Sequence, residues 1–160
     1  MESASARLHS FEASGLNKLP AGLSAFGVVG VTAWAGGALF DDDANGDGVD
    51  NGLAFLLGAT GPNAAVPART MSESGGNLIM TFSARNDASR GSAILNIQHS
   101  SDLGIGDSWV SVPVTDAGTA ASGVTFSITP GSPNNTVTAT ISNTEATAGK
   151  LFGRLKAEQP

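Results

Sequence analysis

The densest chemistry in the chain lies at residues 41–51, where five of the fourteen acidic residues crowd into ten positions of the run Asp-Asp-Asp-Ala-Asn-Gly-Asp-Gly-Val-Asp-Asn. Carboxylates packed this closely repel one another unless a cation or water relieves the field. Counting from Asp43 places Asp at position 1, Asn45 at 3, Asp47 at 5, Gly48 at 6 and Val49 at 7, the spacing of a calcium loop. The reason for that spacing is geometric. Alternate side chains of a tightly turning loop converge their oxygens on one point, the glycine permits the sharp turn, and the next residue offers its carbonyl. Asn51, at position 9, can contribute directly or through water. The candidate ligands are therefore Asp43, Asn45, Asp47, Val49 and Asn51, and the expected ion is Ca2+. Position 12 is Ala54, where a strong loop carries a bidentate Glu, so the expected affinity falls to about 10⁻⁴–10⁻³ M unless Asp41, Asp42 or Asp50 compensates. The competing reading is a solvated turn whose carboxylates cap the helix that follows.

Little else in the chain has the types and spacing for catalysis. There is no Cys and no Tyr, which removes disulfides, thiolate zinc sites, cysteine nucleophiles and phenolic acids together. The imidazoles are His9 and His99. His99 precedes Ser100, Ser101 and Asp102, but neighbours on an extended chain point to opposite faces and form no triad among themselves. Asp102 is expected to stabilise its turn instead, and no catalytic residues are assigned. Trp109 could stack on a sugar, although a strand Trp of a sandwich more often belongs to the core. Asn134-Asn-Thr136 fits a glycosylation sequon, a pattern short enough to arise by chance.

These residues need elements to hold them. From residue 77 onward the hydrophobic period is two, and six runs read as strands. They are 78–85 with Leu78, Met80, Phe82 and Ala84 inward; 93–99 with Ala93, Leu95 and Ile97 inward; and 108–114 with Val110, Val112 and Val114 inward. Three more follow, one carrying Val124, Phe126 and Ile128, another carrying Val137, Ala139 and Ile141, and a last at 150–157 alternating Leu151, Gly153 and Leu155 against Phe152, Arg154 and Lys156. Pro113 makes the third an edge strand, because it cannot donate to a ladder. Between the first two, residues 86–92 are rich in turn formers. A short helix over about 51–57 brings Leu53, Phe55, Leu56 and Leu57 to the core and stops at Gly58. The expected fold is mainly β: an antiparallel β-sandwich of six or more strands, preceded by the acidic loop and one helix.

The expected organisation is an N-terminal arm and uncharged Gly-rich segment at 1–33, the acidic loop and helix at 34–66, and the sandwich at 67–160. Residues 19–40 contain no charge. Pro20 and five glycines make a poor membrane helix of this stretch, and the polar residues before it do not suit a secretory signal. It can instead pack Val28, Val29, Val31 and Trp34 into the core, or dock on a neighbouring subunit as an added strand.

From Trp34 to Pro160 the chain resembles a C-terminal module of large secreted proteins of Verrucomicrobia-type bacteria. The resemblance rests on Trp34, the loop Asp43-Ala-Asn-Gly-Asp-Gly-Val-Asp-Asn51, the helix Leu53-Ala-Phe-Leu-Leu-Gly58 with Pro62, the turn Ser100-Ser101-Asp102-Leu103 before Trp109, and the closing Phe152-Gly-Arg-Leu155. The acidic loop is also similar to those of dockerins and thrombospondin-type repeats. The main departure is Ala54, where the family usually has Glu. The resemblance implies export and a cell-surface or extracellular place, with no settled biochemical activity.

A net charge of −6 opposes a hold on nucleic acid. The sequence thus points to a non-catalytic, calcium-stabilised extracellular structural or adhesive subunit that associates with copies of itself in a filament or surface assembly. The alternative is a carbohydrate-binding module of a larger secreted protein, with an extracellular glycan as partner. Two Trp and seven Phe, the latter mostly inward, make a sugar platform hard to build.

Overall fold

The computed structural model describes Val31 and residues 33–160. Among these residues seven strands form two antiparallel sheets. One sheet has four strands in the order β1-β2-β6-β5, and the other has three in the order β4-β3-β7. In chain order the elements are α1 (Asn51–Leu56), β1 (Thr70–Ser74), β2 (Asn77–Arg85), α2 (Asp87–Arg90), β3 (Ile94–Ser100), β4 (Val110–Pro113), β5 (Val124–Thr129), β6 (Asn134–Ile141), a 3-10 turn (Asn143–Glu145) and β7 (Phe152–Glu158). The architecture is a β-sandwich with a short helix at one end, as the period-two pattern requires.

Every strand expected from alternation is present. Met80, Phe82 and Ala84 of β2 and their same-sheet neighbours Val137, Ala139 and Ile141 of β6 share one buried cluster with Leu95 and Ile97 of β3. The β2–β6 register pairs Met80 with Ala139 and Phe82 with Val137, so each inward residue has an inward neighbour. β4 lies at an edge of its sheet, as Pro113 demands. Three details differ from expectation. β1 has no alternating signature because all five of its residues are exposed; it is held by its ladder to β2. Within 86–92, Asp87–Arg90 close one helical turn, with Arg90 bonded to Asp87 at 2.6 Å. Val110, expected inward, is 37 % exposed, while Val112 and Val114 are buried.

The helix and the sandwich are not separate units. Phe55, Leu56 and Leu57 belong to the same core cluster as the strands, as does Val31. Trp34 anchors the preceding segment: its indole Nε1 donates to the Ala59 carbonyl at 3.0 Å and its ring meets Phe55 edge-on at 5.7 Å. Arg85, at the end of β2, stacks on the other partner in this corner. Its guanidinium lies 4.2 Å from the Phe55 ring and its Nε donates to the Phe55 carbonyl at 2.7 Å. Of the four residues expected to pack inward from the uncharged stretch, Val31 and Trp34 do so, and Val28 and Val29 lie outside the described residues. No helix of the described residues is long and apolar enough to cross a membrane.

Among the described residues, β7 pairs only with β3 and β1 only with β2, which makes them edge strands of their sheets. A groove of about 260 Å³ is lined by Leu53 and Leu57 of α1, Met80 and Phe82 of β2 and Leu155 of β7, together with Arg69, Met71 and Arg154. Gly153 lets β7 approach the other sheet here. A β-carbon at that position would lie 2.8 Å from Leu78 Cδ2 and 3.1 Å from Ile141 Cδ1.

Candidate metal centre

The acidic loop is wound around Asp43. Its Oδ1 accepts the backbone N–H of Gly46 at 2.8 Å and of Asp47 at 3.3 Å, and its Oδ2 accepts that of Gly48 at 2.8 Å. These bonds, the Gly48 amide foremost, hold the Asp43 carboxyl below its ordinary value of 3.8. The turn is feasible because Gly46 and Gly48 adopt φ of 70° and 83°, where a side chain would be strained. Asn45 Oδ1 accepts from the Asp47 amide at 3.1 Å and its Nδ2 donates to Asp47 Oδ2 at 3.1 Å. Asp47 Oδ1 in turn accepts from the Val49 amide at 2.9 Å. The side chains of positions 1, 3 and 5 are thus linked through one run of backbone.

Asn51 has a different place. It is 2 % exposed; its Oδ1 accepts from the Ala44 amide at 3.3 Å and its Nδ2 donates to the Leu39 carbonyl at 2.9 Å. Its own amide donates to the Asp42 carbonyl at 2.7 Å, and the Gly52 amide donates to Phe40 at 2.8 Å. Asn51 therefore bolts the two ends of the loop together and is the first residue of α1. Asp50 occupies the N-cap position without a side-chain capping bond, so that capping role is not taken up. Ala54 is buried and its amide donates to the Asp50 carbonyl.

What the loop offers chemically is an oxygen-only donor set of two carboxylates, two amides and the Val49 carbonyl, which suits a hard cation rather than a soft one. Among the described residues, no three His, Cys, Asp or Glu side chains converge as a metal-holding group. Any cation here would draw on amide and carbonyl oxygens as well as on Asp43 and Asp47.

A second carboxylate-centred loop follows β3. Asp102 accepts the backbone amides of Gly104, Ile105, Gly106 and Asp107, and Asp107 Oδ2 accepts the amide and hydroxyl of Ser101 at 2.9 and 2.6 Å. Asp102 thus stabilises its turn, as its sequence position suggests. For Asp102, desolvation pushes the carboxyl up, but the amides of Gly106, Asp107 and Ile105 and the Ser100 hydroxyl outweigh it, leaving it below 3.8. The Asp107 carboxyl is also lowered, chiefly by the Ser101 hydroxyl. The signal for this loop was readable: an Asp followed by Gly-x-Gly can gather successive amides. Its tip carries Leu103 and Ile105 exposed to solvent.

His99 is buried, with Nε2 2.9 Å from the Ser122 carbonyl, an acceptor that fixes this nitrogen as the donor. Ser100 lies on the opposite face of β3, its hydroxyl engaged with Asp102 and Asp107. Trp109 lies outside the buried cluster, contrary to the expectation of a core residue. It is half-buried, with the Arg154 guanidinium 4.0 Å from its ring and Gly104 packed against its indole edge. Arg154 is oriented by Gln98, which in turn donates to Ser111 Oγ at 2.6 Å. Asn134 of the sequon is half-buried, its amide packed against Gly58.

No family model, no curated protein and no solved structure matches this chain.

Proposed function

We propose that the protein is a non-catalytic extracellular structural or adhesive subunit, stabilised by calcium and associating with copies of itself in a filament or surface assembly. The observation that carries this reading is the flank of the three-stranded sheet, where β7 pairs only with β3 among the described residues and lies beside an apolar groove. An unpaired edge beside exposed apolar surface is a template for another strand. The acidic loop supports the calcium part. Asp43, Asn45 and Asp47 present oxygens from one tightly wound segment, and Val49 and Asn51 would complete the set. Asn51 would do so by giving up or sharing its bond to Ala44. Without a carboxylate at position 12, such a loop fills only at the roughly millimolar calcium found outside cells, which is the argument for that location.

Sedimentation of the purified protein across a calcium titration, with a chelator control and melting temperature recorded alongside, tests both parts. Growth into large species together with a raised melting temperature supports the reading. A monomer indifferent to calcium sinks it.

One observation favours the second reading, a glycan-binding module. Trp109 lies outside the core with its ring against the exposed Arg154 side chain, an aromatic and a cation against which a sugar ring could pack. Glycan binding that is lost in Trp109→Ala, with the melting temperature retained, would establish it.

A further inference from the structure

The sequence holds two Asn-Gly pairs, Asn45-Gly46 within the acidic loop and Asn51-Gly52 at its exit. Asn-Gly is the dipeptide most prone to deamidation, because a glycine amide has no side chain to hinder its attack on the asparagine carboxamide. The fold treats the two pairs in opposite ways. Asn51 is 2 % exposed, and its carboxamide is held by the Ala44 amide on one side and the Leu39 carbonyl on the other. The Gly52 amide donates to the Phe40 carbonyl, and the Phe40 ring lies so close to Gly52 that it leaves no room for a β-carbon. Ring closure at Asn51 would break the bonds to Leu39 and Phe40 inside a packed corner, where unpaired polar groups are costly.

Asn45 and Gly46 are exposed, and a β-carbon on Gly46 would meet nothing within 4 Å. Water replaces any bond that ring closure breaks there. The loop also sets two groups on the reacting atoms. Asp43 Oδ1 accepts the Gly46 N–H at 2.8 Å, so a proton acceptor faces the nucleophilic nitrogen. The Asp47 N–H donates at 3.1 Å to Asn45 Oδ1, the oxygen that gains negative charge when its carbon is attacked.

We propose that Asn45 is a deamidation site of the folded protein and that Asn51 is protected. The Gly46 nitrogen bonds to Asn45 Cγ and gives its proton to Asp43; the Cγ–Nδ2 bond breaks, and that nitrogen leaves as ammonia with the proton. Water then opens the cyclic imide at either carbonyl, leaving aspartate or isoaspartate at position 45. The first product puts carboxylates at 43, 45 and 47, one more charge in the oxygen set offered to a cation. The second adds a methylene to the main chain inside the turn. This inference goes beyond the calcium reading and does not depend on it.

Folded protein is aged at neutral pH beside a sample unfolded in urea. Peptides from both are read by mass spectrometry, with fragmentation that assigns the gain in mass to a residue and an isoaspartate assay alongside. In urea both asparagines should convert. In the folded sample Asn45 should convert to aspartate and isoaspartate, with Asn51 slower by about tenfold or more, because its ring can close only when the corner has opened locally. Asp43→Asn, with its fold verified by circular dichroism, should slow Asn45 in the folded sample and leave the rate in urea unchanged. Asn45 that survives in the folded protein while converting in urea overturns the proposal, as do equal rates at 45 and 51 in the folded protein. An unchanged rate in folded Asp43→Asn overturns the role of Asp43 as proton acceptor. The readout is mass, so a protein that ignores calcium yet converts Asn45 removes the calcium reading and supports this one.

Discussion

At the scale of single residues, two aspartates organise most of the irregular backbone that carries chemistry. Asp43 gathers three amides and Asp102 four. Replacing Asp43 with Ala strands those amides and also removes the first ligand of the proposed calcium site. The expected outcome is a melting temperature that no longer rises with calcium, checked by calorimetry with and without chelator. Acid should act on the same groups. The carboxyls of Asp43, Asp102 and Asp107 are held below 3.8 in the fold. Their contribution is therefore complete above that ordinary value and is lost as pH falls through the lower folded values. Below about pH 4 the loop of Asp102 should loosen first around Gly104, which touches Trp109. Trp109 fluorescence in a Trp34→Phe background should report that change before far-ultraviolet circular dichroism does. Asp102→Asn should remove the acid transition from that signal. The two loops differed in how readily the sequence disclosed them. The first announces itself by charge density, whereas the second is built by one Asp among glycines and serines, a pattern that also occurs in ordinary turns. Trp109 was misplaced for a related reason: nothing in its own run distinguishes a Trp facing the core from one clamped on the outer face by Arg154, 45 residues downstream.

At the scale of elements, the sandwich was legible where strands have one buried face. β2, β5, β6 and β7 alternate, and their register follows from keeping each apolar row inside. β1 was not legible, because Thr70–Ser74 buries nothing and exists only through its ladder to β2. α1 was legible from Leu53 to Gly58 because its apolar residues are continuous and a glycine at φ of 89° ends it. This helix plugs the end of the core, and Leu56 is fully buried. Leu56→Ala should cost about 3 kcal/mol in urea unfolding, the range for removing a buried leucine side chain. Gly153→Val tests the close approach of β7. With Leu78 Cδ2 only 2.8 Å from the added β-carbon, overpacking should cost about 1–3 kcal/mol and narrow the groove from its floor. A variant as stable as the parent would show that β7 can move away from the opposite sheet.

At the scale of the whole molecule, the loop, the helix and the groove form one continuous path. Asn51 closes the acidic loop and begins α1, and two and six residues later Leu53 and Leu57 line the groove. Asn51 is 2 % exposed and is hydrogen-bonded to Leu39, Asp42 and Ala44, which ties the loop to the first turn of α1. The consequence is thermodynamic. If a cation at the loop favours one setting of α1, and a strand in the groove favours the same setting, each must strengthen the other by an equal factor. Occupancy of the loop would then depend on how much protein is present, as well as on how much calcium. The calcium midpoint measured by calorimetry should fall as protein concentration rises. A subunit wired in this way would stay dispersed where calcium and its own copies are scarce, and would commit to assembly only where both are abundant.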